Sequence, residues 1–353
     1  MNQKTFSLSG RKIRYCLLLL LFTGVILAQH IPGWGEYYAR HLYPLLAAPL
    51  SRLSGLIPFA VGDVFIFLSL AGILLYPLEA RLRRKKRWKH IAARLIEYLL
   101  WIYVWFYAAW GLNYSQDSFY QRTQIPYVAY TPENFHRFTK RYTALLNASY
   151  TELTAVDISL IRQEVTRGYL EICDSLGINR PFNACPQVKT MLFTPIASKV
   201  GVTGSMGPFF CEFTVNGDVP PLEYPAVYAH ELSHLLGIAN EAEANFYAYQ
   251  VCTRSHVSGI RFSGYFSILF HVLGNARRLL SAEEYQTLLK SVRPEILSLA
   301  KESQQYWSAK YSPLIGEAQN RIYELYLKGN KISSGRKNYS EVIGLLISHE
   351  EWK

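Results

Sequence analysis

Three apolar runs, at residues 13–28, 56–76 and 95–112, constrain this chain more than any other feature of its sequence. Each approaches the roughly 20 residues that cross about 30 Å of hydrocarbon. A segment in lipid must satisfy its own backbone, so each run is expected to be a helix, at about 13–30, 56–76 and 95–112. The first (IRYCLLLLLFTGVILA) follows basic residues closely and could be a cleaved signal peptide. Ile26 and Ala28 make a poor small-x-small cleavage site, so an uncleaved signal anchor is favoured. The third is rich in Trp and Tyr, which suit the interfacial belts. Asp63 is the one charge in the second run. Lying after Pro58 and Gly62, it reads better as a hydrated helix-end residue than as a functional intramembrane carboxylate.

The net charge of +11 would suit nucleic acid, but its distribution does not. Lys4, Arg11, Lys12 and Arg14 stand in an acid-free block at 1–14. Arg81, Arg83, Arg84, Lys85, Lys86, Arg87, Lys89 and Arg94 form a second at 81–94. Outside the two blocks 25 basic residues face 26 acidic ones. Basic blocks flanking apolar runs follow the positive-inside rule. With both blocks in the cytoplasm, the N-terminus is cytoplasmic and the chain after about residue 113 lies outside. The sequence thus divides into a membrane region, 1–112, and an extracytoplasmic domain, 113–353, of a multi-pass plasma-membrane protein with no nucleic-acid partner. Of the five cysteines, Cys16 lies in the first run. Cys173, Cys185, Cys211 and Cys252 show no disulfide framework, although Cys173–Cys185 is a possible pair.

The outer part reads as α+β, mostly helical with a small antiparallel sheet. "TPEN" at 131–134 caps a helix with Thr131 and Pro132. A second helix is expected near 157–175, and "VKTMLFT" at 188–194 reads as a strand. "SKVGVTGSMGP" reads as a glycine-rich turn. In "FFCEFTVNGD", Cys211, Phe213 and Val215 alternate with Glu212, Thr214 and Asn216, the pattern of a half-buried edge strand. From about Ala226 the chain reads as helix to its end, with a capping box at Ser281 and Glu284 and a terminal amphipathic helix in "YSEVIGLLISHEEW". "GYFSILFHVLGN" at 264–275 is too short to span and is expected to be a buried helix.

The chemistry concentrates in "HELSHLLGIANEAEAN", residues 230–245. On a helix His230 and His234 share a face and can aim two imidazoles at one Zn2+, with Glu231 placed to take a proton from water. Gly237 can end that helix in a left-handed turn. "NEAEAN" then starts a second helix that returns a carboxylate over the histidines. Glu241 and Glu243 compete for third ligand, and they face about 200° apart, so only one can serve. Glu241 is favoured because Asn245, four residues on, could orient a ligand histidine. His256, His271, Tyr247 and Tyr265 are all candidates to stabilise an oxyanion, and no spacing rule selects among them.

Several stretches together resemble the multi-pass bacterial membrane proteins of domain-of-unknown-function family 3810. They are "PFAVGDVF" (58–65), "AWGLNY" (109–114), "GVTGSMGPFFCEFTVN" (201–216), "AHELSHLLGIANEAEANFYAY" (229–249), "SGYFSILF" (263–270) and "NYSEVIGLLISH" near the end. In "FFCEFTVN", Phe and Cys replace commoner small polar residues. The resemblance implies a zincin-like domain with His230 and His234 as zinc ligands and Glu231 as base, and brings no established substrate. The expectation is a membrane-anchored zinc endopeptidase acting on peptide or protein outside the cytoplasm. The strand Glu212, Phe213, Thr214, Val215 and Asn216 would pair with the substrate. The alternative is a zinc-binding membrane receptor or scaffold without catalysis, in which Glu231 has no task.

Overall fold

A computed structural model describes residues 10–152, 155–183, 186–332 and 341–352. It opens with α1 (Gly10–His30), α2 (Trp34–Tyr37), a π turn at Tyr38–Leu42 and α3 (Tyr43–Gly55). Next come α4 (Val61–Leu82) and α5 (Trp88–Ala109). Among the described residues, α1, α4 and α5 are long and apolar enough to cross a membrane. The second and third are displaced from the apolar runs. Pro58 pushes Ile57 out of helical conformation, so α4 starts five residues late. It then continues past Pro77 to Leu82. α5 starts early, at Trp88, and after Ala109 the chain tightens into a 3-10 turn at Gly111–Ser115.

These helices have two distinct ends. At one, Arg14 and Arg94 both pair with Glu97, and the basic turn 83–87 joins α4 to α5. At the other, Glu212 accepts from the Gly62 amide, Asp63 accepts from the Leu192 amide (2.9 Å), and Trp105 Nε1 donates to the Phe209 carbonyl (3.0 Å). Asp63 thus sits in the first turn of α4, at a helix end as expected, and caps the backbone of another segment.

After the short α6 (Phe119–Thr123) come α7 (Pro132–Ser149), capped by Thr131, and α8 (Ile158–Ile172), capped by Asp157. The sheet region contains β1 (Val188–Thr190), α9 (Thr194–Lys199), β2 (Gly204–Gly207) and β3 (Glu212–Val215). Its order is β1-β3-β2. β1 pairs with β3 in parallel, Val188 opposite Phe213, so the sheet is mixed rather than antiparallel. The intervening α9 is a crossover, which is what permits a parallel pair. β2 pairs with β3 antiparallel, Gly204 opposite Val215.

The remaining helices are α10 (Tyr224–Leu235), α11 (Glu241–Thr253), α12 (Ser258–Ser267), α13 (Leu269–Leu279), α14 (Ala282–Ser291), α15 (Pro294–Lys310), α16 (Pro313–Gly329) and α17 (Val342–Trp352). The apolar stretch 264–275 is broken at Ile268 into two packed helices, not a span. The capping box at Ser281 and Glu284 forms as read. α17 is not amphipathic over its first two turns: Val342, Ile343, Leu345, Leu346, Ile347 and even Ser348 are all buried. Tyr339 and Ser340 lie outside the described residues.

One core joins the elements, and the segment between the first two apolar helices belongs to it. Tyr38, Tyr43, Ala47 and Trp110 pack in the same cluster as Leu232, Leu235 and Phe246 of α10 and α11. Cys173, Cys211 and Cys252 are buried free thiols and Cys16 is an exposed one. Cys185, the possible partner of Cys173, lies outside the described residues.

Candidate metal centre

α10 runs under the sheet against β2 and β3 and carries His230, Glu231 and His234. It stops because Gly237 adopts φ 97°, closing the last turn with its amide on the His234 carbonyl (3.0 Å). A side chain there would be strained by the backbone and would also press on Asn113, Asn179 and Tyr43. Asn240 then caps α11 by accepting from the Glu243 amide (3.0 Å). The turn returns Glu241, the first residue of α11, over the two histidines.

Glu241 Oε2 lies 3.1 Å from His230 Nε2 and 3.4 Å from His234 Nε2. The two Nε2 atoms are 3.0 Å apart. Among the described residues these three form the one group of His, Cys, Asp and Glu side chains able to hold a metal, all ligand atoms within 4.8 Å of one another. The other ring nitrogens are already used. His234 Nδ1 faces the Ile238 carbonyl (2.6 Å), which can only accept, so it carries a proton. His230 Nδ1 faces Asn245 Oδ1 (2.9 Å), as read from the Glu241–Asn245 spacing. Both Nε2 lone pairs therefore point inward at a carboxylate oxygen. Three acceptors that close require a cation between them, a proton or a metal.

In metal-free protein that cation is a proton. Burial opposes a charge on His234, but the Glu241 carboxylate, Glu231 and the Ile238 carbonyl outweigh it and raise its pKa to about 9. Burial works against the charge on Glu241 too, but His234 and His230 hold its carboxyl well below the usual carboxylate range. Glu231 is different. Burial pushes its carboxyl up, and its Oε2 is enclosed without a hydrogen-bond partner. Such an orphaned oxygen is costly unless it serves a ligand or water.

Glu243 goes elsewhere. It pairs with Arg122, which also donates to the Gly177 carbonyl (3.0 Å), in a buried ion pair on the opposite side of α11. The 200° separation along the helix leaves only Glu241 facing the histidines.

A cleft of about 1080 Å³ surrounds the centre. Its wall beside Glu231 is β2, not β3. The expected substrate strand is central and fully buried: Glu212 pairs with Lys189, Thr214 donates to the Ser205 carbonyl (3.3 Å), and Asn216 donates to the Val202 carbonyl (2.8 Å). Phe213 packs on Tyr228, and Val215 is buried against β1 and β2. Their alternation imitated a half-exposed strand because Glu212, Thr214 and Asn216 are polar yet internally paired. The edge strand at the cleft is the glycine-rich β2, a stretch that reads in sequence as a turn. Its glycines serve contact: a Cβ on Gly204 would stand 2.3 Å from Glu231 Oε1.

Sequence reading also missed Tyr323. From α16 its hydroxyl donates to Glu241 Oε1 (2.7 Å). Nothing in a sequence connects positions 82 apart. Tyr247 instead donates to the Leu176 carbonyl (2.6 Å), Tyr265 packs edge-on against Tyr249, and His256 is exposed. His271 is held neutral, its pKa pushed down to about 4 by burial and by nearby His230. None of these four lines the cleft, whereas Tyr323 and Tyr326 do.

No curated protein and no solved structure matches the chain. A family model does, across residues 38–347, and with nearly the whole chain covered, from the π turn through α17, the protein belongs to the family described as "Protein of unknown function (DUF3810)".

Proposed function

We propose that the protein is a membrane-anchored zinc-dependent endopeptidase that cleaves peptide bonds on the extracytoplasmic side. The observation that carries this is the convergence of His230 Nε2, His234 Nε2 and Glu241 Oε2 beside a buried, unpartnered Glu231 oxygen. Two imidazoles and one carboxylate are a catalytic zinc set, leaving a position open. A purely structural site would have no use for Glu231, a second carboxylate with an oxygen left unpaired. A helix under a sheet whose antiparallel edge strand faces the cleft is the arrangement that the zincin-like reading calls for.

Zinc bound there would polarise the scissile carbonyl and acidify an attacking water. Glu231, its carboxyl already raised by burial, accepts the water's proton and passes it to the leaving amine. Asn245 and the Ile238 carbonyl fix both imidazole tautomers. The Tyr323 hydroxyl, at the wall of the cleft, orients Glu241 by donating to its Oε1. Main-chain groups of β2, on the edge away from β3, are placed to pair with an extended peptide.

The two ends of the helical bundle support the orientation. Arg14 of the first basic block and Arg94 of the second meet on Glu97 at one end, and the sheet lies at the other. Basic residues in the cytoplasm then leave the cleft outside. α10 is not among the helices able to span, which argues against cleavage within the bilayer.

The test uses the full chain in detergent: metal content, and cleavage of a peptide library by wild type and Glu231→Gln. We expect about one zinc per chain in both proteins and cleavage by the wild type alone, the variant losing roughly 10²–10⁴-fold. Zinc in both with cleavage in neither would support the non-catalytic receptor. A folded wild type without zinc at neutral pH would sink both readings.

A further inference from the structure

α16 has three faces, and one of them is not accounted for by the cleft. Tyr323, Tyr326 and Leu327 face the protein. Glu317, Arg321, Glu324 and Lys328 form a charged face. Between them Leu314, Ala318, Ile322 and Leu325, at intervals of four, four and three, form an exposed apolar stripe with Ile315 beside it. Leu314, Ile322 and Leu325 are 85%, 69% and 72% exposed. At 100° per residue the five positions fall within an arc of about 100°, one face of an amphipathic helix.

The ends of α16 indicate what covers that stripe. At its C-terminal end the Tyr326 ring lies 6.3 Å from Phe106, the Tyr107 hydroxyl donates to Asn330 Oδ1 (2.8 Å), and Lys331 donates to the Gln29 carbonyl. These partners are the last turns of α5 and α1. At its N-terminal end the Ser312 amide donates to the Lys199 carbonyl (2.9 Å), at the end of α9. The approach to α9 is fixed to the first two turns of α4, through Phe193 on Phe67 (5.8 Å) and the Leu192 amide on Asp63. α16 is therefore strung between the same ends of all three apolar helices, and lies across them. Leu192, Phe193 and Ile196, beside α4, are exposed and apolar as well.

We propose that α16 lies in the bilayer interface on the side of the sheet, its stripe seated among lipid chains. The partner is the lipid surface, because the stripe is continuous with the ends of the membrane helices. Arg321 and Lys328, along the stripe's edge, are placed for lipid phosphates. The proposal does not rest on metal binding or catalysis. It makes α16 a fourth membrane contact, whose opposite face holds Glu241 through Tyr323.

The test is spin-label accessibility of the full chain in nanodiscs of phosphatidylethanolamine and phosphatidylglycerol. The background replaces Cys16 and Cys185 with serine. Labels are placed singly at Ile322→Cys, Leu325→Cys and, on the charged face, Glu317→Cys; all three positions are exposed, so folding should survive. We expect collisions with apolar oxygen to exceed those with an aqueous nickel chelate several-fold at 322 and 325, and the reverse at 317. Nickel access at 322 and 325 equal to that at 317 would overturn the proposal. So would labels there shielded from both reagents, which would mean that a protein surface, a second copy or another segment, covers the stripe.

Discussion

Gly204 and Glu231 are 27 positions apart and act as one device. The glycine leaves room for a carboxylate to lie against the edge strand with one oxygen free. Gly204→Ala puts a methyl where Glu231 Oε1 stands, and because that side chain is buried it cannot swing aside cheaply. The expected variant retains zinc and loses cleavage, by an amount similar to removal of a general base, roughly 10²-fold or more. Unchanged turnover would show that Glu231 does not act from its observed position. His234 provides a second prediction. In metal-free protein its pKa is raised to about 9 from an ordinary 6.5, so the charge stabilises the fold fully below pH 6.5. That contribution is lost as pH rises towards 9. Zinc must displace the same proton, so its stabilisation grows over the same window. Thermal melts with chelator and with zinc, from pH 6 to 9, should diverge as pH rises; parallel curves would remove zinc from this cluster.

At the scale of elements, α11 sorts its carboxylates by face, and that sorting is testable. Glu241→Gln should release the metal, and in metal-free protein it also removes the carboxylate that holds the charge on His234, so the unloaded fold loses that stabilisation at low pH. Glu243→Gln should keep the metal but strand Arg122 in the interior, costing about 3–5 kcal/mol as breaking a buried pair does. Metal content and melting temperature of the two variants measure this, and loss of metal from Glu243→Gln alone would reverse the assignment. The helix pair itself was legible because each of its features is local. The i,i+4 histidines, the Gly237 turn and the i,i+4 relation of Glu241 to Asn245 all act within 16 residues. The sheet was harder to read for an equally physical reason. β3 is polar at alternate positions because Glu212 answers Lys189 and Gly62 across long sequence distances, so burial and exposure gave the same pattern. β2 is rich in glycine because Glu231 approaches it, and glycine in sequence signals a turn before it signals a close contact.

For the whole molecule, the three apolar helices and the helices that carry His230, His234 and Glu241 form one structure. Tyr43, in the segment between the first two apolar helices, donates to the Leu235 carbonyl (2.7 Å). Trp110, just past the third, donates to the His234 carbonyl (3.1 Å). Both carbonyls belong to the last turn of α10; the His234 carbonyl also accepts from the Gly237 amide, whereas the Leu235 carbonyl accepts from Tyr43. Residues 113–353 by themselves would lose both donors and the Tyr38, Tyr43, Ala47 and Trp110 side of the core. The Leu235 carbonyl, buried and unpaired, would cost about 1–3 kcal/mol. Loss of the packed aromatics would add several more, against a usual stability of about 5–15 kcal/mol. The fragment is therefore expected to be expressed unfolded or aggregated and to bind no zinc, whereas the full chain in detergent binds it. Circular dichroism and metal content of the two, measured side by side, decide the matter. A folded, zinc-binding fragment would mean that α10 is held from within residues 113–353. The donors from Tyr43 and Trp110 would then be incidental to the site, and the membrane helices would serve only as an anchor.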